Sequence, residues 1–215
     1  MILGISASGR RDVETAKMVK GVVEASGLAH SYVTLAGRSI GGCRGCLKCA
    51  GDGVCVYQAD WVEIAETMKA ADAIVFGGPS YSGNINVLGH AFLERLYAFR
   101  HGRFLLSGKL CVLVTPGSAG NPSEQYAEKM VLHNKMVLLT KVSKPESIAP
   151  CYECGYGHDC MAGAVVRGND KRTVERITPD MLPEGADDSE CVQRAIASAG
   201  WSLARAVRHS ATVAA

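Results

Sequence analysis

The sequence lacks a predominant charge, a long hydrophobic run and the common motifs of hydrolases. Its 215 residues include 23 lysines and arginines against 21 aspartates and glutamates, without a basic patch, so the charge pattern does not favour nucleic-acid binding. No apolar run approaches the ~20 residues that a membrane-spanning helix needs. Neither Gly-x-Ser-x-Gly nor His-Glu-x-x-His occurs, which argues against two familiar kinds of hydrolase. We therefore expect neither a nucleic acid nor a membrane as a partner.

Cysteine, by contrast, is abundant, with nine residues in two groups and two isolated positions. Four lie within residues 43–55 and three within residues 151–160. A secreted, disulfide-bonded protein is not expected, because the number is odd, no basic leader opens the sequence, and a chain of this length can bury a core without covalent links. We expect a cytoplasmic protein whose thiols are reduced and partly bound to metal. The isolated Cys111 and Cys191 are expected to be packing residues.

Short apolar runs alternate with amphipathic stretches along the chain, which predicts an α/β fold. The five runs fall at residues 2–5, 30–35, 73–76, 110–114 and 136–142. Strands alternating with helices in this way form a parallel sheet with helices on both faces. A cysteine-rich loop (residues 40–56) follows the second strand, and an excursion (residues 150–183) precedes the last helix. We expect one domain over residues 1–215, with Trp61 and Trp201 on the buried faces of helices.

Three loops should meet at the carboxyl edge of this sheet, where ligands bind in open parallel sheets. The loop after the first strand carries hydroxyls on Ser6, Ser8 and Thr15 and leads into a helix, so it can hold a phosphate. The loop after the third strand places Tyr81 among small residues, which suits a flat heteroaromatic ring. The loop after the fourth strand, residues 115–121, is small and amide-rich. Each alone is also typical of an ordinary turn, but three at one edge favour a cofactor site.

The first cysteine group has the spacing Cys-x2-Cys-x2-Cys-x5-Cys, with glycines between that allow tight wrapping. Compact runs of this kind hold [4Fe–4S] clusters, whereas structural zinc usually takes two separated Cys-x2-Cys pairs. Zinc and redox-active thiols remain alternatives. Lys48 and Arg44 would favour the more reduced cluster, or lie solvated at the surface. The predicted ligands are Cys43, Cys46, Cys49 and Cys55.

The second cysteine group leaves three alternatives open. Cys151, Cys154 and Cys160, with His158 among them, could form a second metal site, although three thiols do not complete a tetrahedron. Cys151 and Cys154 could instead be a redox pair close to the cofactor. The third alternative is a stable turn with buried cysteines. Elsewhere, the basic stretch containing Arg95, Arg100 and Arg103 is expected to be a solvated face.

The first loop with its Thr15, together with residues 73–84, resembles the flavodoxin-like NADPH-dependent FMN reductases. With the cysteine loop added, the sequence is most similar to the iron–sulfur flavoproteins of that superfamily, over about residues 1–145. The resemblance implies a flavodoxin-like fold whose first loop holds the FMN phosphate and whose other two loops border the isoalloxazine ring. The residues so implied are Ser6, Ser8, Arg10, Thr15, Pro79, Ser80, Tyr81, Ser82, Gly83, Asn84, Thr115, Gly117, Ser118 and Gly120.

The first loop departs from the family pattern in two places. Gly9 stands where the family usually has proline, and Val13 and Glu14 stand where it has Gly-Asn before the threonine. A carboxylate beside a phosphate is repulsive if it points inward. We therefore expect Glu14 to point to solvent, with Arg10 or Arg11 offsetting its charge.

Together these features predict an iron–sulfur flavoprotein oxidoreductase. It would transfer electrons between a [4Fe–4S] cluster and FMN, with a ferredoxin-like donor or NAD(P)H as partner. The resemblance also implies a homo-oligomer, a dimer or tetramer in which the cluster of one subunit approaches the FMN of another. One alternative is an FMN-dependent dehydrogenase or reductase of a small organic substrate, such as a quinone or a chorismate-type cyclic acid, or an NAD(P)H:FMN reductase. A non-enzyme alternative is a metal-stapled interaction module without flavin. No catalytic residue is assigned.

Overall fold

A computed structural model describes residues 1–57, 60–145 and 150–214 of the chain. Five strands form one parallel sheet in the order β2-β1-β3-β6-β7, which confirms the predicted sheet. A two-stranded antiparallel hairpin, β4 and β5, stands apart from it. The strands are β1 Ile2–Ser6, β2 His30–Thr34, β3 Ala73–Gly77, β4 Ser80–Tyr81, β5 Asn84–Ile85, β6 Leu110–Pro116 and β7 Val137–Lys144.

In the part of the chain that the structure describes, six α-helices lie on the two faces of the sheet and in the excursion. Helices α1 and α6 pack on one face, while α2, α3 and α4 contribute to a second buried cluster on the other. A short 3₁₀ segment, Leu96–Phe99, continues α3. The helices are α1 Glu14–Ala25, α2 Trp61–Ala70, α3 Val87–Arg95, α4 Pro122–His133, α5 Ala164–Gly168 and α6 Glu190–Ala214. Among the described residues, no helix has both the length and the apolar character needed to cross a bilayer.

The central strands are buried on both faces, as a parallel sheet between two helical layers requires. Leu3 and Ile5 belong to the core cluster on the α2–α4 side, and Ile2 to the cluster on the α1–α6 side. Trp61 is 2% exposed, and its ring centroid lies 5.6 Å from that of Phe92. The buried position predicted for Trp61 is therefore confirmed.

Two predictions on α6 are wrong. Trp201 is 60% exposed and lies against the guanidinium of Arg205, and Cys191 is also exposed. The buried stripe of α6 includes Ala199 and Leu203. At ~100° per residue, a residue two positions from each lies on the opposite side of the helix. An apolar residue type near the stripe was therefore not enough to place Trp201 in the core.

Candidate functional site

The three loops at the carboxyl edge of the sheet, here called the rim (residues 6–15, 77–86 and 115–121), contact one another directly. The Ala7 amide donates to the Gly77 carbonyl at 2.7 Å. The Asn86 side-chain amide donates to the Ala7 carbonyl, also at 2.7 Å, while its oxygen caps α3. The third loop reaches the second where Gly117 lies beside Ser80, since a Cβ on Gly117 would be 3.7 Å from that of Ser80. The sheet thus brings the three loops together as predicted.

The first loop has buried polar atoms that lack a hydrogen-bond partner among the described residues. Ser6 Oγ and Arg10 Nε are buried, and no described residue lies within hydrogen-bond distance of either atom. Helix α1 begins after Val13, whose side chain makes no capping hydrogen bond, whereas α3 and α4 are both capped by asparagine side chains. Uncapped N–H groups at a helix start bind anions well. Ser8 and Thr15 are buried in the same loop, and the donor set fits a phosphate.

Glu14 does not point to solvent, so that prediction is wrong. The residue is 8% exposed, and its carboxylate lies 3.5 Å from Nζ of Lys144 at the end of β7. Arg10 instead pairs with Glu153 of the excursion, and Arg11 contacts the Ala36 carbonyl. The charge of Glu14 is therefore offset from the far edge of the sheet. Sequence separation hid this pairing, because 129 residues of chain lie between the two groups.

The second loop is a tight hairpin that presents its tip to solvent. Ser82 and Gly83 both have positive φ, 50° and 79°, as the favoured two-residue hairpin turns require. Tyr81, beside this turn, is 47% exposed and is available to stack on a planar ligand. Of the other residues predicted to lie beside the ring, Pro79 and Thr115 are buried, and Ser80 and Gly117 are half-buried. The remaining ones are exposed: Ser82, Gly83, Asn84, Ser118 and Gly120.

A buried carboxylate on α4, missed in the sequence, braces the third loop. Glu124 accepts from the Gly120 amide at 3.0 Å and from Ser143 Oγ at 2.7 Å, and it lies 2.8 Å from Nζ of Lys141. Burial by itself raises the pKa of Glu124, but the hydrogen bonds from Lys141, Ser143 and Gly120 outweigh it. The pKa therefore lies below its ordinary value of 4.5. The third loop is thus tied to β7 through one ionised side chain.

The Glu124→Gln variant is expected to lose about 2 kcal/mol of stability at neutral pH, because a buried charged partner is removed. A depressed carboxyl pKa gives stability that is present above the unfolded pKa and is lost as pH falls through the folded pKa. Urea unfolding at about pH 7 and about pH 4 should show the gap to wild type narrowing in acid. Glu128→Gln is the matched control, since Glu128 also contacts Lys141 (3.0 Å) but is partly exposed, and it should cost under about 1 kcal/mol. Equal losses in the two variants would contradict the bracing role.

The four cysteines of the first group line one pocket, together with Arg95 and Tyr57. Cys49 is buried at its base, Cys55 is half-buried, and Cys43 and Cys46 are exposed. The Gly45 amide donates to Cys43 Sγ at 3.4 Å, so a backbone N–H is directed at sulfur. The residues present therefore fit a group that is bound by several thiolates.

The thiols lie around this cavity rather than at one point. Burial raises the pKa of the Cys49 thiol, and the charges of Cys55, Cys43 and Cys46 raise it further. Among residues 1–57, 60–145 and 150–214, however, no three Cys, His, Asp or Glu side chains are grouped closely enough to hold a single metal ion. A zinc ion needs its four ligand atoms at ~2 Å from one centre. The four thiolates of a [4Fe–4S] cluster instead bind separate irons around a larger body, so they need not meet at one point.

Two residues of α3 hold the cysteine loop in place. Arg95 is 4% exposed and donates to the carbonyls of Gly41, before the cysteines, and Tyr57, after them. Glu94 accepts from the Cys43 amide at 3.3 Å. The prediction that Arg95 belongs to a solvated face is therefore wrong. The signal was present in the sequence, because Arg95 lies three residues after Phe92 on the apolar stripe of its helix.

Helix α3 joins the cysteine loop to the rim. Its cap, Asn86, contacts the first loop, and its last residues, Glu94 and Arg95, hold the cysteine loop. At ~1.5 Å per residue, the two ends are separated by about 12 Å along the helix axis. Within one chain the two candidate sites therefore lie at opposite ends of α3.

The second cysteine group lies beside the first loop. Glu153, between Cys151 and Cys154, pairs with Arg10 at 2.5 Å. Cys151 is half-buried, whereas Cys154 and Cys160 are exposed, so the alternative of a turn with buried cysteines is wrong. The described part of the chain brings no third ligand to this group that would complete a metal site.

The chain is similar to a known protein family and to individual proteins named as iron–sulfur flavoproteins. The family model described as NADPH-dependent FMN reductase matches residues 1–146, and so ends before the excursion. An iron–sulfur flavoprotein of Methanocaldococcus jannaschii is 29% identical over 136 residues, which are 62% of this chain and 69% of that protein. Another, of Methanosarcina thermophila, is 28% identical over 127 residues, which are 58% of this chain and 66% of that protein. The alignments thus span about two thirds of each relative.

Solved structures agree on the architecture. The apo form of an NADH:FMN oxidoreductase superposes with a TM-score of 0.57 at 15% identity, covering 95% of this chain and 88% of that one. A flavodoxin, a WrbA-like protein from Agrobacterium tumefaciens, gives a TM-score of 0.55 at 13% identity, covering 97% and 96%. At these identities the likeness concerns the fold, which is flavodoxin-like as predicted.

Proposed function

Since the chain belongs to the NADPH-dependent FMN reductase family and is an FMN-linked oxidoreductase, we propose that it transfers electrons between FMN at the rim and a [4Fe–4S] cluster in the cysteine pocket. A flavin takes up a pair of electrons and can release them singly, while a cluster carries one at a time. The protein would thus couple a one-electron carrier such as ferredoxin to a two-electron partner. Two relatives of the chain are themselves named iron–sulfur flavoproteins.

The observation that carries this proposal is the pocket formed by the four cysteines at one end of the helix whose other end supports the rim. Cys43, Cys46, Cys49 and Cys55 are the proposed cluster ligands. Arg95 fixes both ends of their loop, and the guanidinium of Arg44 lies over the Tyr57 ring beside them. These cations favour the more reduced, more negative state of a cluster. The pocket thus provides ligands, a rigid support and a matching charge.

At the rim, each loop has a separate task in the proposal. Ser6, Ser8, Arg10 and Thr15, together with the uncapped start of α1, would bind the phosphate. Tyr81 would stack against the ring at its exposed margin, and the Gly117 region would close the opposite side. Lys144 keeps the carboxylate of Glu14 neutralised, so that it does not repel the phosphate.

The proposal includes a homo-oligomer, in which the cluster of one subunit meets the FMN of another. A pocket open to solvent, with Leu47 (56% exposed) and Val56 (46% exposed) around it, is consistent with such a contact. Analytical ultracentrifugation of the holoprotein should show a dimer or tetramer. A stable monomer that still transfers electrons rapidly between cluster and flavin would contradict this assembly.

One preparation tests the central proposal. Protein purified without oxygen should contain FMN, and about four irons and four sulfides per chain. Reduced ferredoxin, NADH and NADPH would then be compared as donors in rapid-mixing experiments, where the proposal expects the one-electron donor to reduce the cluster before the flavin. Zinc without flavin would instead support a metal-stapled interaction module. If only NAD(P)H reduces the flavin, and the cluster is never reduced, the result would support a reductase of a small organic substrate.

A further inference from the structure

The excursion has a Cys-x2-Cys pair that neither the family match nor the proposed function accounts for. The family model ends at residue 146, and the pair follows at Cys151 and Cys154. It begins in a 3₁₀ turn, Pro150–Tyr152. Pairs with this spacing in reducing compartments are either metal ligands or redox thiols. Nothing in the described residues groups a third ligand with them, which leaves the two cysteines as a thiol pair.

The loop is turned so that the second cysteine reaches back to the first. Cys154 Sγ donates to the Cys151 carbonyl at 3.4 Å, while the Tyr156 amide donates to Cys154 Sγ at 3.4 Å. A Cβ on Gly157 would lie 1.9 Å from the same Cys151 carbonyl, so only glycine permits this closeness. The chain is therefore folded back on the Cys151 carbonyl, which places both cysteines in one tight turn.

The two thiols also differ in access, as the two members of a redox pair do. Cys154 is exposed and Cys151 is half-buried. An external disulfide can therefore meet Cys154 first, and Cys151 is placed to resolve the product. The ion pair between Glu153 and Arg10 sets the loop beside the first loop of the rim. That pair is exposed and contributes little energy, but it shows where the thiols lie.

We propose that Cys151 and Cys154 form a reversible dithiol–disulfide pair that reacts with external disulfides of the glutathione type. The Cys154 thiolate attacks one sulfur of the disulfide, forming a mixed disulfide and releasing the first thiolate. The Cys151 thiolate then attacks the Cys154 sulfur, which forms the Cys151–Cys154 bond and releases the second thiolate. Two cysteine thiols are thereby oxidised, one external disulfide is reduced to two thiols, and the two cysteine protons pass to those products. This site does not depend on the proposed flavin or cluster.

The test is a count of free thiols in the full-length protein at several ratios of reduced to oxidised glutathione. After acid quenching, alkylation with N-ethylmaleimide and trypsin digestion, residues 142–167 form one peptide that contains Cys151, Cys154 and Cys160. The reduced sample should carry three alkyl groups. The oxidised sample should carry one alkyl group, on Cys160. Its mass should be two hydrogens below that of the same singly alkylated peptide with two free thiols, because the internal disulfide has formed. Dithiothreitol should restore all three.

Matched variants separate this pair from general oxidation. Cys160→Ser should leave the transition intact, while Cys151→Ser and Cys154→Ser should each abolish the internal disulfide. Cys191, exposed and alone in the peptide of residues 177–194, reports nonspecific reaction in the same samples. Three alkylated thiols in oxidising buffer, a disulfide that includes Cys160, or a stable mixed disulfide that never closes would each overturn the proposal. So would stoichiometric zinc or iron that is lost only in the Cys151 and Cys154 variants. The wild-type result decides even if a variant fails to fold.

Discussion

The double substitution Cys46→Ser with Cys49→Ser is expected to remove the iron–sulfur cluster and leave the flavin in place. Iron and sulfide should fall from about four per chain to below about one, because two of the four thiolates are lost and serine is a poor ligand for iron. Cys49 is the buried member of the pocket and Cys46 lines the same cavity. FMN should stay bound, because the rim lies at the other end of α3. Iron, sulfide and flavin assays on anaerobic protein measure all three quantities.

The same variant separates the two electron routes. Reduction of FMN by a one-electron carrier should slow by at least about tenfold, whereas any direct reduction by NAD(P)H should be unaffected, because only the first route needs the cluster. Cys160→Ser with Cys191→Ser is the matched control, since both residues are exposed and lie outside the pocket. Unchanged iron in the pocket variant would disprove the ligand assignment. Loss of flavin together with iron, in a protein that retains its far-UV circular dichroism, would show that the sites are not separate.

The sheet could be predicted from the sequence because its signals are local. Each central strand is buried on both faces, so it appears as a continuous apolar run, and alternation with helices fixes a parallel sheet. The meeting of the three rim loops then follows from topology alone, since carboxyl ends of parallel strands share one edge. The hairpin geometry of Ser82 and Gly83 did not follow, because a Gly-rich loop is compatible with several turn types.

Charged side chains that are placed by a distant partner could not be predicted from the sequence. Glu14 is buried because Lys144 lies beside it, and no local pattern relates the two. Glu124 likewise gains its role from β7 and from the loop before it. Trp201 shows the converse: an aromatic residue type outweighed its spacing, which places it on the exposed side of α6. Residue type is thus the weaker guide when it conflicts with helical periodicity.

The Ser8→Asp variant is expected to bind FMN at least about 100-fold more weakly than wild type. Ser8 Oγ accepts the Arg10 amide at 3.1 Å, and it is 2% exposed within the first loop. An aspartate side chain can accept the same bond two residues on, so the loop should keep its turn. Its added charge would lie beside the phosphate dianion, and near a protein surface like charges at contact distance repel by several kcal/mol, about 1.4 kcal/mol being tenfold in affinity. Fluorescence titration of FMN into flavin-free protein measures the change.

Three comparisons make this a test of phosphate location rather than of loop integrity. Ser8→Asn keeps the acceptor without the charge and should cost under about tenfold, since it alters one hydrogen bond at most. Ser198→Asp, on the exposed side of α6, should bind FMN like wild type. Riboflavin has no phosphate, so Ser8→Asp should not weaken its binding. Equal losses for the aspartate and asparagine variants would point to loop shape, and unchanged FMN affinity in Ser8→Asp would remove the phosphate from the first loop. A large effect only where both charges are present would place the phosphate beside Ser8, in the loop that leads into the uncapped start of α1.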